Sequence, residues 1–270
     1  MSDEPRPITD PAGVVHDAAQ AVRDRVEDLR EAVEVRVDDL REAVEVRVDD
    51  LREAVEIRVE EVKPRLRGWL HAAIVPLTLA AGIVLIALSP TLSTRVGSTV
   101  YAITALSLFG VSAVYHRGTW SPRAHAFLKR LDHSNIFLLI AGSYTPFTLI
   151  LLQGGERIAL LSIVWGGALL GVFFRVFWTN APRWLYTPIY IALGWAAVFW
   201  AEDFTHAGPA VASLVVTGGV LYTLGGIVYG FKRPNPWPTW FGFHEVFHTF
   251  TILAFVTHYV GVSLATYSLR

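Results

Sequence analysis

Two imidazoles and a carboxylate stand together in Phe243-His244-Glu245-Val246-Phe247-His248-Thr249. On an α-helix His244 and His248 differ by about 40° of azimuth and about 6 Å of rise, so both rings can close on one cation. The letters also spell H-E-x-x-H, in which paired histidines bind zinc and the Glu is the general base of soluble metalloproteases. The surroundings argue against such an enzyme. From Phe247 to Leu264 the chain is almost wholly apolar, so the pair enters a membrane rather than an open cleft. Glu245, about 100° around the helix from His244, need not face the metal. With no cysteine in the chain, any transition-metal site must use His and carboxylate.

The elements that must position these groups are apolar runs. The 270 residues carry a net charge of only -1, but residues 1 to 67 hold 19 of the 24 acids and 12 of the 23 bases. That part is a solvated arm, and residues 68 to 270 are bilayer material. Runs long enough to cross a bilayer fall near 69–88, 96–115, 134–152, 158–177, 185–200, 210–230 and 240–264. The expected fold is all-α, a polytopic bundle of seven transmembrane helices, with Pro188 in the short fifth span. The loops after spans two, four and six carry Arg117, Arg123, Lys129, Arg130, Arg175, Arg183, Lys232 and Arg233. The other loops and the C-terminus carry Arg95, Arg157 and Arg270. This asymmetry puts the N-terminus in the cytoplasm and the C-terminus outside a cell membrane.

Orientation assigns a depth to every polar residue. Glu156, Glu202 and Asp203 fall in outer loops, which leaves Asp132 and Glu245 as the inner acids. His116 ends the second helix one turn after Ser112, Asp132 and His133 begin the third, His244 and His248 begin the seventh, and His71 begins the first. Ionisable groups at membrane depth are costly and usually pair, bind ions or do chemistry. Three neutral imidazoles, His116, His244 and His248, with a carboxylate nearby fit tetrahedral Zn2+ with an open fourth position for water. His71, His125, His133 and His206 read as interfacial side chains. His258, about 15 Å further along its helix, cannot share their ion. Ser112 either bonds back within its own helix or acts beside the site.

In the arm, residues 30 to 62 repeat with a period of eleven, REAVEVRVDDL, REAVEVRVDDL, REAVEIRVEEV. Eleven residues make about three turns, so Leu29, Leu40, Leu51 and Val62 stack on one line. Val33, Val44 and Val55, then Val37, Val48 and Val59, lie beside them, and Val35, Val46 and Ile57 on the far side. The arm reads either as a coiled coil joining copies in a homo-oligomer or as a single charged helix or partly disordered arm. Its seven extra acids disfavour an anionic membrane surface.

The chain resembles the hemolysin III branch of the progestin and adipoQ receptor family over about residues 68 to 268. The resemblance rests on Ser112-x-x-x-His116, on Leu131-Asp132-His133-Ser134-Asn135-Ile136 with Ile140-Ala141-Gly142-Ser143-Tyr144-Thr145-Pro146, and on His244-Glu245-x-x-His248. It implies seven helices with the N-terminus inside, zinc on the positions matching His116, His244 and His248, and Asp132 holding the water beside it. Many relatives carry a Glu and an Asn ahead of a His in the first helix; here His71 alone remains of the three. The expected function is a zinc-dependent hydrolase of a lipid amide or ester, with Asp132 and Ser112 as candidate catalytic residues. A cytolytic pore and a membrane sensor with structural zinc are the alternatives. Membrane lipid is the expected partner, and nucleic acid is not.

Overall fold

The computed structural model describes residues 11–61, 64–178 and 181–270, with α1 side chains at 20, 23, 25–45, 47, 48 and 51. The chain divides into two compact units, residues 1–62 and 63–270. The first contains α1, a continuous helix from Pro11 to Glu61. Leu29, Val33, Val37, Leu40, Val44, Val48 and Leu51 are all exposed along it. The stacking expected of Val55, Val59 and Val62 lies outside the described side chains.

The second unit is a helical bundle of α2 (Trp69–Ala87), α3 (Leu92–Arg117), α4 (Pro122–Leu151), α5 (Gly154–Phe177), α6 (Arg183–Gly194), α7 (Ala201–His206), α8 (Pro209–Phe231) and α9 (Phe243–Tyr267). A 3-10 turn, Ala196–Trp200, joins α6 to α7. Taking Arg183–His206 as one crossing, the described residues contain seven helices long and apolar enough to span a membrane. The chain is thus a multi-pass membrane protein.

Local chemistry sets the helix starts. Thr91 and Thr94 close a reciprocal cap on α3, and Ser121 caps α4 with Pro122 in its first turn. The third expected span, 134–152, therefore begins about three turns too late. The first turns of α4, Pro122 to Asp132, are too polar to register as apolar. Asp132 and His133 lie well inside the helix rather than at its start, which removes helix-dipole support for the Asp132 carboxylate, since that effect fades within the first turn.

The outer surface is apolar, with Leu77, Ile83, Phe173, Leu170 and Phe199 exposed. Lipid tails are as apolar as these side chains, so helix contacts must come from close packing and polar bonds. The interior shows both. Tyr101 Oη donates to the Phe255 carbonyl at 2.9 Å, Tyr259 Oη to the Ala81 carbonyl at 3.0 Å, and Trp165 Nε1 to Thr145 Oγ1 at 3.1 Å. Ser107 Oγ donates to Asn135 Oδ1 at 2.9 Å, and Asn135 Nδ2 returns a bond to the Ser107 carbonyl at 3.2 Å. That pair fixes α3 against α4 about one turn from Ser112 and Asp132.

Candidate metal centre

Four helices converge at one end of the bundle. His116 comes from the last turn of α3, Asp132 from α4, His244 and His248 from the first turns of α9, and His71 from the first turn of α2. One ring nitrogen from each of His116, His244 and His248 lies within 4.8 Å of the other two, and the Nε2 atoms of His116 and His244 are 3.1 Å apart. Tetrahedral zinc with ligands at about 2.0 to 2.1 Å separates its nitrogens by about 3.3 Å, so the donor set fits such an ion.

Asp132 Oδ2 stands 3.7 Å from His116 Nε2, and the Ser112 side chain interacts with the same carboxylate. The two candidate catalytic residues thus meet beside the imidazoles, across the α3–α4 contact. Glu245 points elsewhere. It is fully buried, with Oε1 in an ion pair with Arg67 and Oε2 accepting from the Gly242 N–H at 2.9 Å. Backbone bonds from Arg65 to the Thr239 carbonyl and from Leu66 to the Trp240 carbonyl hold the segment that carries Arg67 beside the start of α9. This carboxylate anchors two chain segments and caps a helix, so the metalloprotease reading of H-E-x-x-H has no general base here.

His71 corrects its interfacial reading. It is 2% exposed, its ring stacks on His248 at 3.7 Å between centroids, and it meets Phe109 edge-on at 5.0 Å. Its place at the start of the first span, level with the other three imidazoles, is the sequence signal for this buried position. His133 is also inside the bundle. Its Nδ1 faces the Lys129 carbonyl at 2.7 Å, which can only accept, so the proton is on Nδ1. Nε2 then accepts from Tyr229 Oη at 3.2 Å, leaving the Tyr229 oxygen to accept from Tyr186 Oη at 3.2 Å. Tyr190 Oη donates to the His133 carbonyl at 3.2 Å. His125 and His206 are exposed, in keeping with their interfacial reading.

The imidazoles close one end of a cavity of about 260 Å³. His71, Ser112, Asp132, His133, His244 and His248 line that end, and apolar groups such as Leu108, Ile136, Phe147 and Val215 line the middle. The cavity continues to Phe204 and Thr205 on α7, with the broken fifth crossing forming much of its wall. His258 sits along it with Nε2 donating to the Val215 carbonyl at 3.1 Å. The cavity thus runs from the imidazoles along mostly apolar walls.

The sequence model of the haemolysin-III related family matches residues 59–259. Over 158 residues the chain is 34% identical to the hemolysin-3 homolog of Bacillus subtilis (strain 168), covering 58% of this chain and 71% of that protein. It is 35% identical over 147 residues to hemolysin-3 of Bacillus cereus, covering 53% and 65%. It is also 27% identical over 187 residues to the adiponectin receptor protein of Drosophila melanogaster, covering 60% of this chain and 41% of that receptor.

Proposed function

Since the chain belongs to the haemolysin-III related family, within the progestin and adipoQ receptor superfamily, we propose that it hydrolyses a lipid amide or ester within the inner leaflet of the cell membrane, using zinc. The observation that carries this is the meeting of three imidazole nitrogens within 4.8 Å with Asp132 3.7 Å from His116, at the end of a long apolar cavity. His116, His244 and His248 would hold the ion. When bound, it supplies Lewis acidity that polarises a substrate carbonyl and acidifies water. Asp132 takes and returns the proton, and Ser112 orients the carboxylate. His71, packed flat on His248, fixes the plane of that ring. The cavity takes the acyl chain and keeps bulk water from the reacting end.

The test uses full-length protein in liposomes that contain an N-acyl sphingoid lipid or an acyl ester. Wild type should carry close to one zinc per chain and release fatty acid. Asp132→Asn keeps the shape but not the basicity, so it should keep most of its zinc, with affinity lowered about 10- to 100-fold, and lose turnover. If Asp132→Asn loses zinc as fully as His244→Ala, Asp132 is itself a ligand, the site is closed, and the hydrolase reading fails.

The name of the Drosophila relative favours a second reading, a receptor or sensor in which the ion is structural. It predicts zinc without turnover of any lipid offered. The cytolytic activity suggested by the name of the Bacillus cereus relative finds no support in the cavity, whose middle is apolar.

A further inference from the structure

The family match begins at residue 59, so it leaves almost all of α1 unexplained. Leu29, Val33, Val37, Leu40, Val44, Val48 and Leu51 follow one another at spacings of four, four and three. Eleven residues in three turns is about 3.67 per turn, the period that winds helices into a right-handed supercoil. These side chains are 40% to 61% exposed, which makes a continuous unpartnered stripe. Little else in α1 holds it helical. Valine is a mediocre helix former, and an exposed pair such as Arg30–Glu34 at 3.2 Å contributes about 0.2 to 0.5 kcal/mol.

We propose that this stripe is covered by a second copy of the same chain, in a parallel, in-register, right-handed coiled coil. The charges beside the stripe select that partner. Around the axis from Val44, Arg41 and then Glu45 lie at about 65° and 98° on one side, and Arg47 lies at about 65° on the other. A parallel copy brings the side bearing Arg36 and Arg47 against the side bearing Glu34 and Glu45 of its neighbour, each pair offset by about 3 Å in height. An antiparallel copy would set the two Arg36 and Arg47 rows against each other. Copies inserted in one membrane in the same sense also carry their arms on the same side of it, as the parallel arrangement needs. A lipid surface is the poorer occupant, because residues 11–61 hold 16 acids against 8 bases and anionic headgroups repel that excess.

The chain has no cysteine, so single-cysteine variants of the full protein report the contact cleanly. Under mild oxidation in detergent, Val44→Cys should form a disulfide-linked dimer and Val35→Cys, on the opposite face, should not. Light scattering should find at least two copies per particle. The double variant Leu40→Asp with Val44→Asp should weaken self-association more than about 100-fold, since each copy would bury charge in the seam. The proposal is overturned by a monomer at all concentrations, by equal cross-linking at both cysteines, or by an oligomer that survives the two aspartates. It also fails if Val44→Cys is shielded from a water-soluble thiol reagent only when anionic lipid is present, since the occupant is then a membrane surface.

Discussion

Glu245 has both carboxylate oxygens committed, one to Arg67 and one to the Gly242 N–H, and so it has none to offer an ion. Glu245→Gln should therefore keep its zinc while unfolding more easily, by about 1 to 3 kcal/mol. That is less than a fully buried pair would lose, because Arg67 retains some solvent. His116→Ala should do the reverse and strip zinc with a smaller effect on unfolding. Metal content and thermal unfolding of the two purified variants decide the matter, and retained metal in His116→Ala would reverse the assignment. Spacing alone identified His244 and His248 because they share a helix. His116 and Asp132 required the depth argument, being on other helices. Arg67 as the partner of Glu245 was not legible, because nothing local to either residue names a contact 178 positions away.

Among the elements, the start of α2 is the most constrained. Gly68 caps it at φ 79°, a left-handed conformation that costs a residue with a Cβ about 1 to 3 kcal/mol. An added Cβ would also stand 2.8 Å from the His116 Cβ, pressing on the candidate metal site. Gly68→Ala should lower both stability and zinc occupancy. Gly110→Ala, inside α3 with nothing within 4 Å, should change neither. Equal behaviour of the two in metal analysis would mean that the cap does not position His116. The centres of the spans were legible from apolarity, but their polar ends were not. Ser121 and Pro122 were the available signals for the true start of α4. In the fifth crossing, Pro188 lies inside α6 and does not mark the break, and the 3-10 turn after Gly194 follows from tertiary bonds. Tyr144 Oη donates to the Gly194 carbonyl and accepts from the Ala197 N–H, and no short sequence pattern encodes that clasp.

At the scale of the whole molecule, the charge asymmetry between loops sets the expected direction of the bundle. A reporter that is active only outside the cytoplasm should be active when fused after Arg270, and one that is active only inside should be silent. The opposite result would place the imidazole end of the cavity in the outer leaflet and make its lipid an outer-leaflet species. Within either orientation the order of synthesis has a consequence of its own. His116 precedes His244 by 128 residues, and Arg67 precedes Glu245 by 178. During translation the first three crossings enter the bilayer with Arg67 and His116 still lacking their partners on α9, and the candidate ligand set is completed only when the last crossing emerges. On the proposed zinc reading, metal loading would be a late event in biogenesis, and a nascent chain halted before residue 243 should have no high-affinity zinc.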